Sequence, residues 1–143
     1  MADNAQTVRR FYEEVINGGR LGTIDELLGD GFVEHQEFPG IPPTKDGVKQ
    51  FFAMWHEAFS GTKAQIDLLV DGGDHVAVYG TWTATHQGEF MGIPGTGKQI
   101  AVPAADFVRF SSDGKCIEHW GVFESALMLQ QLGVIPEMAG ATA

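Results

Sequence analysis

The hydrophobic period of this 143-residue chain changes once, from 3.6 to 2, near Gly61, and that switch limits the folds open to it. Before Gly61 the apolar residues recur at helical spacing. Val8, Phe11, Tyr12, Val15 and Ile16 form one stripe, with Asp3 and Asn4 as caps in front and Asn17-Gly18-Gly19 as a stop. A short second helix is predicted from Thr23 to about Gly29, because Thr23-Ile24-Asp25-Glu26 has the form of a capping box. Phe32 to His35 reads as a short strand, and Pro39, Pro42 and Pro43 impose an extended loop. A third helix is predicted from about Lys45 to Phe59, with Val48, Phe51, Phe52, Trp55 and Phe59 on one side.

Beyond Gly61, Ile66, Leu68 and Val70 alternate with polar positions, and Asp71-Gly72-Gly73-Asp74 makes a turn. Strands are predicted over 76–86, 99–110 and 116–123, with Ser112-Asp113-Gly114 turning the last two. Ser125 is placed to cap a closing helix that holds Leu127, Leu129 and Leu132, and 136–143 reads as a tail. Helices followed by long antiparallel strands make an α+β pattern. One domain over 1–143 is expected, with its core at about 6–134.

Charge and motif content then remove whole classes of function. Nineteen Asp plus Glu against nine Lys plus Arg give a net charge of -10. Such a field repels phosphate backbones and anionic lipid, so no nucleic-acid or membrane partner is expected. No apolar run approaches the roughly 20 residues of a membrane span, and no basic-then-apolar leader opens the chain, which predicts a cytoplasmic protein. Cys116 is the single cysteine, so an internal disulfide and a thiolate metal cluster are excluded. The histidines at 35, 56, 75, 86 and 119 lack metal-ligand spacing, so no metal is expected; His56 and His75 read as surface residues. Gly92 to Lys98 matches G-x-x-x-x-G-K, but Gln99 stands where a phosphate-binding loop needs Ser or Thr, and a strand follows rather than a helix. A hairpin loop is the better reading. With no G-x-S-x-G motif, and with Cys116 inside a strand, nucleophilic catalysis is not expected.

Asp106 is the informative residue. It interrupts the apolar strand Val102-Pro103-Ala104-Ala105-Asp106-Phe107-Val108. A carboxylate there is either a structural ion pair or solvated face, or a cavity group that moves protons. The neighbouring strand carries His119, which shares a face with Gly121 and Phe123, while Glu118, Trp120 and Val122 share the other. If Asp106 and His119 point to one concave side, they form an acid/base pair.

Several segments together resemble the SnoaL-like polyketide cyclase family, within the nuclear transport factor 2-like (ketosteroid isomerase-like) fold. They are Val8-Arg9-Arg10-Phe11-Tyr12 before Asn17-Gly18-Gly19, Phe32-Val33-Glu34-His35, and Thr85-His86-Gln87-Gly88 with Met91-Gly92-Ile93-Pro94. Asp113 to Trp120, running into Gln131-Leu132-Gly133, completes the set, which covers about 6–134. The resemblance implies a cone: a curved antiparallel sheet packed against three N-terminal helices, enclosing an apolar pocket. It also implies a homodimer through the outer sheet face, with Trp120 as a contact, and no cofactor. Its cyclases remove a proton alpha to a carbonyl with a carboxylate. That aspartate falls at Gly121 here, which argues against strict polyketide cyclisation, while Asp106 corresponds to a pocket histidine. Ala104 likewise replaces the arginine that related epoxide hydrolases use.

The expectation is therefore a cofactor-independent enzyme acting on a small hydrophobic substrate, polyketide-like or otherwise, with cyclase or isomerase chemistry. Asp106 and His119 are its catalytic pair. Tyr12, His35 and Glu37 are possible donors to an enolate oxygen, and Glu124 is a secondary acid suited to capping or pairing. Phe51, Trp55, Trp82 and Phe123 are pocket walls. The alternatives are a non-catalytic binding protein for a small apolar ligand, motivated by Gly121, and a purely protein-interaction role.

Overall fold

The computed structural model describes residues 3–136. The N-terminal stripe does fold as a helix, but in two geometries. α1 (Asn4–Phe11) runs directly into a π-helical stretch, Tyr12–Asn17. Asp3 caps it, its carboxylate accepting the Gln6 N–H at 3.0 Å. Tyr12, Val15 and Ile16 of the wider turn are all buried.

In α2 (Gly22–Leu27) the expected capping box does not form. Thr23 lies inside the helix, and its hydroxyl donates instead to Glu14 Oε1 at 2.9 Å. A carboxylate delivered by the π stretch has outcompeted the local cap. α3 (Lys45–Ala58) starts at Thr44, whose Oγ1 accepts the Gly47 N–H, and passes straight into a strand at Phe59. His56 is not a surface residue: its Nε2 meets the Val15 carbonyl at 3.0 Å and ties α3 to the π turn.

Five strands follow the order β1-β5-β4-β3-β2 in one curved, unclosed sheet. They are β1 (Leu28–Glu34), β2 (Phe59–Asp71), β3 (His75–His86), β4 (Gln99–Phe110) and β5 (Cys116–Phe123). All neighbours are antiparallel except β1 and β5, which pair in parallel with Glu34 opposite His119. β1 is longer than Phe32 to His35 suggested and forms an edge that local sequence does not announce. A bulge between Ile66 and Leu68 shifts the register of β2. The predicted alternation of Ile66, Leu68 and Val70 therefore breaks: Ile66 and Leu69 pack on the core, while Leu68 and Val70 face outward.

The glycine-rich segment between β3 and β4 is a loop, pinned by Gly97 N–H on the His86 carbonyl and by a hydrogen bond between Thr96 Oγ1 and His86 Nδ1. α4 (Ser125–Gln131) closes the chain over β4. Its N-cap position is Glu124, with no side-chain cap, and the Ser125 hydroxyl turns back to the Phe123 carbonyl, so Ser125 is not the cap. From residue 137 on, the expected tail lies outside the described residues. Among the described residues no helix is long and apolar enough to cross a membrane.

Candidate active site

Between the concave sheet, α1 with its π turn, α3 and the 36–43 loop lies a cavity of about 630 Å³. Its wall is mostly apolar and rich in aromatic rings. Phe51, Trp55, Trp82 and Phe123 all line it and contact one another through ring faces and edges, Trp55 and Trp82 at 5.3 Å and Trp82 and Phe123 at 5.7 Å. Cys116 also lines it, and burial pushes its thiol up to about 12, so it remains protonated.

One end of the cavity is polar. Asp106 on β4 pairs across to Gly121 on β5, which makes His119 its diagonal neighbour on the concave face. His119 Nε2 lies 2.8 Å from Asp106 Oδ1. The Tyr12 hydroxyl, brought in by the π turn, donates to the other oxygen, Asp106 Oδ2. Among the described residues no arginine neutralises Asp106, because Arg109 lies on the opposite face and pairs with Glu118. The sequence-predicted pair thus meets in the cavity, with Tyr12 beside it.

Glu34 is the member that sequence reasoning missed. Its Oε1 lies 2.6 Å from His119 Nδ1, completing a chain Glu34–His119–Asp106–Tyr12. The only signal was the run Glu34-His35-Gln36-Glu37, and strand alternation selects the neighbour of the residue that was named. His35 stands on the outer face, where its Nε2 meets Glu118 Oε2 at 2.8 Å and its ring stacks on Trp120 at 4.8 Å. It does not reach the cavity and cannot donate there. Glu37 is exposed at the mouth. Glu124 is exposed at the start of α4 and does not itself line the cavity.

With a carboxylate at each ring nitrogen, His119 must donate from both and is a cation. Burial alone would push its pKa down, but hydrogen bonds to Asp106 and Glu34 outweigh that and raise it to about 10. Burial, and then the Asp106 charge, raise the Tyr12 phenol well above its usual value, so it remains a donor. The cluster therefore holds two carboxylates, one imidazolium and one neutral phenol at the end of an apolar chamber. It suits proton transfer between a carboxylate and a substrate. Among the described residues no group of three His, Cys, Asp or Glu side chains is arranged to hold a metal ion.

Residues 6–132 match the family model described as SnoaL-like polyketide cyclase. IdmH of Streptomyces antibioticus, described as a candidate polyketide cyclase, is 30% identical, with 92% of this chain and 99% of that chain covered and a TM-score of 0.79. AclR of Streptomyces galilaeus, described as a candidate hydroxylase, is 26% identical over 94% of this chain and 83% of that one, at a TM-score of 0.81. TsrD of Streptomyces laurentii, 22% identical over 91% and 94% at a TM-score of 0.82, shares the fold. No curated protein sequence matches the chain. The family model spans all but the ends of the chain, and the curved sheet and helices agree with it: this protein belongs to the SnoaL-like polyketide cyclase family.

Proposed function

We propose that this protein is a cofactor-independent enzyme of the cyclase or isomerase kind, and that Asp106 removes a proton alpha to a carbonyl of a small hydrophobic substrate. Membership of a small-molecule enzyme family supports the class. The observation that carries the residue assignment is the chain Tyr12–Asp106–His119–Glu34 at the polar end of an aromatic cavity. Asp106 is the base, oriented by a donor on each oxygen. His119 is a fixed cation beside it, held by Glu34.

Proton transfer then moves negative charge from Asp106 to the enolate oxygen without changing the net charge of cluster and substrate together, which lowers the cost of reaction in a poorly hydrated site. The aromatic walls hold the substrate in a reactive orientation. Gly121 at the usual aspartate position argues that the family's chemistry is run here from β4 rather than β5.

The test follows exchange of the α-protons of 2-tetralone, an apolar bicyclic ketone, in D2O by NMR. The wild type should accelerate exchange over buffer, and Asp106→Asn should lose about 10²- to 10⁴-fold of that rate. No acceleration, or an unchanged rate in Asp106→Asn, overturns the assignment. Tight binding of the enol mimic 2-naphthol without any exchange would move the protein to the binding-protein reading.

For the outer sheet face, the partner we infer is a second copy of the chain. Two apolar rows cross four strands there, Leu68–Tyr79–Ala105–Val122 and Val70–Ala77–Phe107–Trp120. Val122, Leu68 and Phe107 are at least half open to solvent or close to it, a patch unusual for a lone monomer surface. Light scattering of Val122→Glu and Trp120→Glu tests this: dimers in both variants would remove the face from consideration.

A further inference from the structure

Loss of an α-proton leaves negative charge on the carbonyl oxygen, which needs a hydrogen-bond donor inside an apolar cavity. The obvious donors are either engaged elsewhere or closed to the substrate. The Tyr12 hydroxyl is on Asp106, and the two His119 N–H groups are on Asp106 and Glu34. The Trp55 indole N–H is on Thr62 at 3.0 Å. The Trp82 indole N–H has no hydrogen-bond partner among the described residues, but its nitrogen is fully buried, so a substrate oxygen does not reach it.

Gln36 is different. It lines the cavity, and among the described residues its carboxamide makes no hydrogen bond. Its backbone is fixed: the N–H donates at 2.9 Å to Glu34 Oε1, the same oxygen that receives His119 Nδ1. Its side chain lies over Gly121. A Cβ built on that glycine would come 2.1 Å from Gln36 Oε1 and 2.8 Å from His119 Cε1. Gly121 is itself the β5 partner of Asp106. The amide thus sits beside the imidazolium and over the residue facing the base, in space that any side chain at 121 would take.

We propose that the Gln36 carboxamide N–H donates to the enolate oxygen, as a catalytic residue supplied by the β1–α3 loop in the place of a β5 side chain. This rests on the proton-transfer reading above. Asp106 takes the proton from the α-carbon, the C–H electron pair becomes the new C=C bond, and the carbonyl π pair moves onto the oxygen facing the amide. Return of the proton from Asp106 to the α-carbon, or to the γ-carbon where a neighbouring C=C conjugates the enolate, restores the carbonyl. A neutral amide stabilises the oxyanion without attracting an anionic substrate, so the site takes an uncharged ketone.

The test compares the wild type with Gln36→Met, which keeps the length and apolar stem but removes the donor. Two readouts are made: kcat and KM for 2-tetralone exchange, and the Kd of 2-naphthol by fluorescence. We expect kcat to fall on the order of 100-fold with KM within about threefold, and 2-naphthol binding to weaken about tenfold. A change in KM alone, or unchanged kcat and Kd, overturns the proposal and leaves Gln36 a packing residue. If the wild type shows no exchange, the proton-transfer reading fails by itself, and Kd then decides Gln36: weaker binding in Gln36→Met supports its donor contact, and equal binding removes it. Failure of 2-naphthol to bind the wild type overturns the donor contact.

Discussion

The two faces of the sheet carry nearly the same polar residues and use them differently. On the concave face Glu34, His119, Asp106 and Tyr12 are linked in a line. On the convex face His35, Glu118 and Arg109 are linked in another, built from the immediate sequence neighbours of Glu34 and His119. The inner side chains of the His119–Asp106 pair are 19% and 16% exposed; the outer His35 and Arg109 are 38% and 39% exposed. Inside, little water competes, so one imidazole between two carboxylates becomes a lasting cation. Outside, solvent screens the same pairing, and Glu118 is simply held below its usual pKa by His35 and Arg109. Chemistry is separated from surface electrostatics by one residue of strand period.

The comparison is broken most severely by removing the inner cation. His119→Leu leaves Asp106 and Glu34 without their shared cation in the cavity wall and should cost about 3 kcal/mol in urea unfolding. A change well below that would mean that the inner line is as solvent-screened as the outer one.

Titration sharpens the same contrast. The folded-state pKa of His119 is about 10, above the 6.5 of an unperturbed imidazole. Its stabilisation is therefore complete below about pH 6.5 and is lost as pH rises through about 10. Unfolding midpoints should fall across that window, and Glu34→Gln should weaken the fall by removing one of the two raising partners. A pH-independent midpoint, or an NMR titration of the His119 ring near pH 6.5, would contradict the doubly paired cation.

A smaller effect is expected at Gly121. In Gly121→Ala the new Cβ displaces the flexible end of Gln36 and crowds the His119 ring, for a stability loss of about 1 kcal/mol, measurable by thermal unfolding. A loss several times larger would mean that the amide cannot move aside. Least is expected outside: Glu118→Gln should change stability by less than about 1 kcal/mol and leave 2-tetralone exchange unaltered. A loss of exchange there would show that the two faces are coupled through β5.

Much of this was legible in the chain. The bounds of β4 and β5 follow from alternation and turn residues alone, and Asp106 stands out because an acid in an apolar strand is locally anomalous. The aromatic stripe of α3 likewise announced residues that line the cavity. Other features gave no local sign. The π turn that aims Tyr12 at Asp106 occupies a stretch whose spacing reads as ordinary α-helix. The bulge in β2 reverses the face of Leu68 and Val70 without a glycine or proline at the step.

Sequence by itself determined the α+β order of elements, the faces of β4 and β5 and the acid on β4, because periods of 3.6 and 2 are properties of a few adjacent residues. Only the tertiary structure decided that Glu34 rather than His35 meets His119, and that Gln36 covers Gly121. Both depend on β1 pairing in parallel with a strand 85 residues away, as counted from Glu34 to His119. That pairing is set by loop closure and packing of the whole sheet, and no local period encodes it.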